Sequence, residues 1–421
     1  MITRRFSTIS FLLFFLILFS LFTSISTFKK RISYYNEDIY SHLFKLDPSR
    51  INMYSNVEIG FDRPPEKLSI LAGGIGEKYG SCAIIRGKYG PTIIRSREKS
   101  NFFLFNPLPF DFIHVLGLVI SLMAILLSYD TISGEREEGT LQLSLSNSIG
   151  KYKILLGEYI GAMLSLLIPL CLSFLGVIII LQLHPDISFD LEMLGEISVL
   201  FLNSVFLTSA FVMLGILISS LTRQSNTSLL SAFFIWVILV AIYPNLTSWI
   251  SLYAKSVESL VELTSTNIIT KMSPEHILEE KVQIDKNQKE FNLNKRFEQS
   301  DFENKLKLFS PFSTNILLSQ IIAGTDVGTQ KKFISQIKNL EQSFIKWQKE
   351  KLKKYPQRES FFIAGWGAVD LKDLPSNEFK GESLAERIER AIPYMASVLI
   401  LNIILFYMSY IIFIKYDPRF G

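Results

Sequence analysis

Cysteine is scarce in this chain, and histidine is scattered. Two cysteines occur in 421 residues, and one of them, Cys171, lies in an apolar block, so a disulfide framework with Cys82 is not expected. Metal sites usually show ligands at short, regular spacing. The four histidines stand far from one another and from both cysteines in sequence: His42, His114, His184 and His276. The sequence therefore predicts no metal site and favours solvated or interfacial histidines.

Phosphate-binding and hydrolytic motifs are also missing. The chain has no G-x-x-x-x-G-K-[ST] loop, no G-x-S-x-G elbow and no H-E-x-x-H pair. The glycines of Gly73–Gly80 have the wrong spacing for a phosphate-binding loop and are typical of a flexible turn. No long basic run is present, so we expect no nucleic-acid partner. The sequence thus predicts neither a catalytic site nor a bound cofactor.

Apolar residues, in contrast, are abundant and arranged in blocks. The chain is 48% hydrophobic, with 34 Phe and a mean hydropathy of +0.29. A bilayer core of about 30 Å requires roughly 20 apolar residues in a helix. Six segments free of Asp, Glu, Lys and Arg reach or approach that length: Ile9–Phe28, Phe112–Tyr129, Tyr159–Leu183, Ile197–Leu221, Thr227–Tyr253 and Ala391–Ile414.

The sequence therefore predicts an all-α polytopic membrane protein with six transmembrane helices, because only helices satisfy every backbone group within one segment in lipid. The short connections carry Lys or Arg on the side where both chain ends would lie, which indicates a cytoplasmic location for these ends. The predicted organisation is residues 1–28 as the N-terminus and first span, 29–111 as an extracytoplasmic region, 112–253 as spans two to five with a cytoplasmic loop at 130–158, 254–390 as a second extracytoplasmic region, and 391–421 as the sixth span and tail.

The first apolar segment has two interpretations. Arg4 and Arg5 before an apolar run also describe a signal peptide. The run is longer than a usual signal core, and Ser24-Ile25-Ser26 is a poor cleavage site, so we favour a retained anchor.

The two extracytoplasmic regions differ in pattern. The first contains the β-prone runs Ser81–Arg86 and Gly90–Ile94 among turn signals, which indicates a small mixed domain. The second is mainly helical. It contains one helical face that ends near Pro356, and the stretches Val257–Ile268 and Glu279–Lys307 are also predicted to be helical. That face follows from a spacing of four, three, four and three residues in Phe333, Ile337, Leu340, Phe344 and Trp347.

The loop after the second predicted span is the most informative stretch. It reads D-T-I-S-G-E-R-E-E-G-T-L-Q-L-S-L-S from Asp130 to Ser146. Its acidic cluster suits the start of a short helix, where carboxylates meet the positive end of the helix dipole. The segment from Ile132 onward fits either a helix along the membrane surface that offers a charged face to a partner, or an ordinary polar turn.

This loop closely resembles the signature of type-2 ATP-binding-cassette (ABC) exporter permeases, a D-x-x-x-x-E-R-E-x-G-T-L-x-x-x-L-S pattern after the second membrane helix. The chain looks like the variant of that family with enlarged extracytoplasmic segments. Shorter resembling pieces follow in order along nearly the whole chain: Gly60–Pro65, Leu308–Pro311, Ile322–Asp326 and Lys415–Arg419.

The resemblance implies a permease subunit in the cell membrane, the inner membrane in bacteria. In such permeases this loop docks on a separate ATPase subunit, and two permeases, identical or paired, join two ATPases, so ATP binds the partner. Gly139 would allow a tight bend and Thr140 would cap the following helix. The resemblance assigns to this coupling element Glu135, Arg136, Glu137, Glu138, Gly139, Thr140 and Leu141.

Two other functions remain open from the residues alone. One is a membrane-anchored binding or sensory protein, although its cytoplasmic parts would be too short for a signalling module. The other is a subunit that uses ATPase strokes to act on envelope proteins or lipids without moving a solute. Because the predicted spans contain no Asp, Glu, Lys or Arg and His114 is their only histidine, an ion-coupled carrier is disfavoured. Polar residues within the spans, such as Asn203 and Asn402, are interpreted as packing contacts rather than a pathway.

Overall fold

The structure is a computed structural model, and it describes residues 4–47, 51, 53–74, 79–86, 92–95, 111–142, 150–184, 187, 189–254, 274–356 and 369–415. The helices, numbered in chain order, are α1 Arg4–Lys45, α2 Phe112–Ser128, α3 Ser133–Glu137, α4 Lys151–Leu183, α5 Leu191–Leu221, α6 Ser225–Val237, α7 Tyr243–Ala254, α8 Pro274–Lys307, α9 Pro311–Ile322, α10 Val327–Lys354 and α11 Leu384–Lys415. The strands are β1 Ile59–Asp62, β2 Cys82–Ile85 and β3 Ile93–Arg95.

Helices long and apolar enough to cross a membrane account for five of the six predicted spans. Each of the last five predicted segments lies within one of them, which confirms the helical membrane class. The first predicted segment, Ile9–Phe28, lies within the 42-residue helix α1, which runs on to Lys45. The number of six spans stays a prediction. Within the described residues the five candidate spans are Phe112–Glu137, Lys151–Leu183, Leu191–Leu221, Ser225–Ala254 and Leu384–Lys415.

Helix α5 is the centre of the bundle and packs against α2, α4, α6, α9 and α11. Small residues allow the closest approach, because a Cβ at Gly215 of α5 would lie 1.8 Å from Ser128 Oγ of α2. Between α6 and α7 the chain forms one π-helical turn, Ile238–Ile242, just before Pro244. This turn accommodates the missing N–H of the proline within a continuous apolar rod.

The strands form an antiparallel sheet in the order β1-β2-β3. One face of the sheet joins α10 in a second core, in which Phe61 stacks on Phe333 at 5.6 Å between ring centroids. The predicted helical face is confirmed, because all five of its residues are buried in α10, which ends at Lys354. Helix α8 covers all of Glu279–Lys307, whereas Val257–Ile268 lies outside the described residues. The location of these regions outside the membrane stays a prediction.

Helix α9 was not distinguished from the second extracytoplasmic region in the sequence. Helix α8 ends at Lys307. Ser310 caps the next helix, α9, because its side chain accepts the Ser313 N–H. Nearly every residue of α9 is buried, and its apolar side chains share the core of the candidate spans. Asn203 Nδ2 donates to Asn315 O and to Ser319 Oγ, each at 3.0 Å, which ties α5 to α9.

The polar residues named within the spans make packing contacts, as interpreted from the sequence. Asn402 Oδ1 accepts from Ser209 Oγ at 2.7 Å, which joins α11 to α5. A buried ion pair, Arg387 Nη1 to Glu196 Oε1 at 2.8 Å, joins the same two helices near their other ends. Glu66 lies 3.7 Å from the same guanidinium, and burial raises the pKa of its carboxyl while the Arg387 charge opposes that shift.

Candidate functional site

The segment that joins α2 to α4 forms the candidate site. Its described part, residues 129–142, is called the connecting loop below. The chain leaves α2 at Ser128, turns, and forms the short helix α3 against the start of α6. The segment 143–149, which includes Leu143 and Leu145, lies outside the described residues.

The first anchor of the loop is a serine at the end of α5. Ser219 Oγ accepts the backbone N–H groups of Ile132 at 3.0 Å and Ser133 at 2.9 Å. The same hydroxyl donates to Ser133 Oγ at 3.2 Å. The first N–H groups of a helix have no partner within it. A side chain from α5 therefore caps α3 from outside and fixes the position of its start.

Arg136 provides the second anchor. Its guanidinium donates to Thr222 O at 2.7 Å and to Ser220 O at 3.3 Å. These carbonyls belong to the last turn of α5, where the helix carries partial negative charge and free acceptors. Arg136 therefore faces inward and clamps the loop to α5.

The third anchor reaches the start of α6. Glu137 Oε2 accepts the Ser225 N–H at 2.9 Å, so this carboxylate occupies the favourable position at a helix N-terminus. One turn further on, Ser228 Oγ donates to Tyr129 O at 2.5 Å. The loop is thus bonded to the ends of α5 and α6 as well as continuous with α2.

The tip of the loop points away from the bundle. Glu138, Gly139 and Thr140 are exposed, and Gly139 adopts φ +75°. A Cβ there would meet nothing within 4 Å, so the tight bend requires glycine because of the backbone conformation and not because of a neighbour. Thr140 Oγ1 donates to Glu135 O at 3.2 Å, back to the preceding helix. Leu141 is 1% exposed and packs into the core of the candidate spans.

The outer surface of the loop is acidic. Asp130 and Glu138 are exposed, while Glu135 and Glu158, on α4, are half-buried. Their negative charges act on one another. Like charges held together near a surface are best stabilised by a positively charged partner. The site thus combines an acidic outer face with an inner face fixed to α2, α5 and α6.

The sequence predicted the loop and its seven residues but missed the groups that hold it. The anchors Ser219, Ser220, Thr222 and Ser225 lie 84 to 88 residues away in sequence from their partners. The sequence does show a polar run, Ser219–Thr222, at the end of a long apolar segment, and hydroxyl side chains are common partners for helix ends. That pattern does not indicate which helix end these hydroxyl groups would bind.

A bundle of long apolar helices, with a charged loop fixed to the ends of several of them, is the architecture of a multi-pass membrane protein. The model of one family, described as ABC-2 family transporter protein, matches residues 2–417. The chain belongs to this family, which confirms the family indicated by the sequence. The chain is accordingly a multi-pass membrane protein of the ABC-2 transporter family.

Two relatives carry the same description, "Probable ABC transporter permease protein NosY". The relative from Pseudomonas aeruginosa is 30% identical over 126 residues, which cover 30% of this chain and 46% of the relative. The relative from Stutzerimonas stutzeri is 43% identical over 56 residues, which cover 13% of this chain and 20% of the relative. The chain therefore aligns with less than half the length of these relatives.

Proposed function

We propose that the connecting loop is the docking site for a separate ABC ATPase and that the chain couples ATP hydrolysis on that partner to export of a substrate across the membrane. The observation that carries the proposal is the two-sided loop. Its acidic tip, with Glu138 and Gly139, is exposed, and its inner side is hydrogen-bonded to α5 and α6. In the six-span topology predicted from the sequence, both chain ends and the loop face the cytosol, where ATP is available.

Coupling works as rigid-body motion. When ATP closes the partner subunits, the docked loop moves with them. Because Arg136 and Ser219 bind the loop to α5, the ends of α2, α5 and α6 move as one unit. Energy reaches the membrane only if the two arrangements of the helices bind the nucleotide state of the partner differently.

The complex contains two permeases and two ATPases. An apolar stripe on α4 supports contact with lipid or with the second permease copy. Each of its residues is more than half exposed, and they follow one another at helical spacing: Leu164, Ile168, Leu172, Leu175 and Ile179.

A second candidate function is mechanical work on envelope proteins or lipids without solute export. The observation in its favour is the direct link between the bundle and the sheet-containing part of the chain. Arg63 Nη1 donates to Gln330 Oε1 at 3.0 Å, and Arg390 of α11 pairs with Asp326 at the start of α10 at 2.6 Å. A stroke of α11 would therefore be passed to α10. Cargo movement into vesicles containing the complete complex distinguishes the two functions.

Copurification in mild detergent tests the docking proposal. We expect an ATPase subunit to elute with the wild-type chain, and to be lost with Glu138→Lys or Gly139→Trp while the amount of membrane-inserted permease is unchanged. Glu378→Lys is the matched control, because it reverses an exposed charge on the segment between α10 and α11. Wild-type copurification and wild-type coupling of hydrolysis to transport in both loop variants would refute the proposal.

A further inference from the structure

One face of the sheet carries two side chains with metal-binding chemistry. Asp62 and Cys82 are direct partners in the antiparallel pairing of β1 with β2. Because side chains alternate along a strand, Gly60 lies on the same face. The opposite face, with Phe61 and Ala83, belongs to the core shared with α10.

The last turn of α1 covers this face with His42. A Cβ at Gly60 would lie 1.9 Å from His42 Nδ1 and 2.2 Å from its Cγ, so only glycine leaves room for the ring against β1. His42 is 7% exposed and Cys82 is 3% exposed. Helix α1 and strand β1, with space left by Gly60, thus place the buried His42 imidazole between the carboxylate of Asp62 and the thiol of Cys82.

The contacts within this cluster fix the orientation of the imidazole. His42 Nδ1 lies 2.8 Å from Asp62 Oδ2, and His42 Nε2 lies 3.9 Å from Cys82 Sγ. One ring nitrogen is thus held by the carboxylate, and the other is directed at the sulfur. The second carboxylate oxygen, Asp62 Oδ1, is buried without a hydrogen-bond partner, which is costly for an acceptor and satisfied by a cation.

We propose that His42, Asp62 and Cys82 form a binding site for a divalent transition metal, with Zn²⁺ as the ion that fits this donor set. Each residue offers one ligand atom, and the three atoms lie within 4.8 Å of one another. In a tetrahedral zinc site the nitrogen and sulfur ligands are roughly 3.5 Å apart, so the 3.9 Å separation needs little adjustment. Mg²⁺ and Ca²⁺ prefer oxygen ligands and do not fit.

Binding of the ion releases a proton from the cluster. A metal takes a cysteine ligand as the thiolate, so the Cys82 proton is released on binding. His42 binds as neutral imidazole through Nε2 and keeps its Nδ1–H on Asp62 Oδ2, and Asp62 Oδ1 is the oxygen free to bind the ion. Three protein ligands leave one position for water or another donor. The bound ion fastens the end of α1 to β1 and β2. The sequence argument against a metal site rested on spacing, and it had no access to this cluster because its members lie 20 and 40 residues apart.

The test uses the full chain purified in detergent, stripped with a chelator and carrying Cys171→Ser, so that Cys82 is the only cysteine. Titration against a chromophoric zinc chelator should give about one Zn²⁺ per chain, with no change when Mg²⁺ is added in excess. Cys82→Ser and His42→Asn should weaken zinc binding by at least about 100-fold, and Asp62→Asn by about 10- to 100-fold. His184→Asn is the matched control and should bind zinc as the parent does.

Two further readouts keep the result clear if a variant folds poorly. In the chain with an intact site, Co²⁺ should produce a thiolate-to-cobalt absorption band, and Zn²⁺ should slow alkylation of Cys82 whereas Mg²⁺ should not. Equal zinc binding by Cys82→Ser, or an alkylation rate and spectrum unchanged by Zn²⁺ and Co²⁺, would overturn the proposal. These outcomes do not depend on whether an ATPase docks on the connecting loop.

Discussion

Replacement of Arg136 by glutamine tests whether the connecting loop is rigidly joined to the bundle. The change removes the charged donors to Thr222 O and Ser220 O, at 2.7 and 3.3 Å. Hydrogen bonds to a charged group contribute about 1.5–3 kcal/mol each. Because Arg136 is half-buried and one of the two bonds is long, we take the lower value for each, about 3 kcal/mol in total. That free energy corresponds to a roughly 150-fold increase in the population of undocked loop.

Hydrogen exchange measures this population directly. The amides of Arg136 and Glu138 are bonded to Ile132 O and Gly134 O, so they exchange only when α3 opens. We expect exchange of this segment to accelerate by about 100-fold in Arg136→Gln, together with loss of coupling between hydrolysis and transport. Lys153→Gln is the control, because it removes the same charge from α4, where the ammonium group lies over the neighbouring Tyr152 ring. Unchanged exchange in Arg136→Gln, or equal acceleration in the control, would refute the reasoning.

Three further variants test other parts of the account. Gly139→Ala should destabilise the loop conformation by about 1–2 kcal/mol because of φ +75°, and should weaken copurification of the ATPase. Gly157→Ala, where a Cβ also meets open space but the backbone is that of helix α4, should have neither effect. Asn203→Leu should lower the unfolding temperature, because loss of the bonds to Asn315 O and Ser319 Oγ costs about 1–3 kcal/mol. Asn245→Leu, in which the lost amide is exposed and bonds only to Ala241 O one turn earlier, should have little effect. Arg387→Met should lower the free energy of unfolding by about 3–5 kcal/mol, because it leaves Glu196 buried without its cation. Adding Glu196→Gln should restore most of that stability. A double variant no more stable than the single one would contradict the assignment.

The membrane class and the span positions were predictable because the signal is local. A charge-free block of about 20 residues has few stable structures in lipid other than a helix. The face of α10 was predictable for a similar reason, since the spacing from Phe333 to Trp347 fixes which side is buried. In both cases the physical requirement lies within one continuous segment.

Features that depend on distant partners were not predictable. In the sequence, the short helix α9 resembles part of a longer charged helical region. Its burial depends on contacts with α5, such as the bond from Asn203 to Asn315 O, which lie far away in sequence. Arg136 was expected in the coupling element, but its inward role depends on carbonyls of α5. The need for glycine at position 139 was anticipated, and the structure gives its cause as backbone conformation in open space.

The location of the loop tip is the central claim, and one labelling experiment tests it most directly. In a chain with Cys82→Ser and Cys171→Ser, Thr140→Cys places a single thiol on the exposed tip. A membrane-impermeant thiol reagent should label inverted vesicles and not intact cells, and addition of the ATPase should protect the site. Labelling of intact cells, or no protection when the ATPase is bound, would contradict the account.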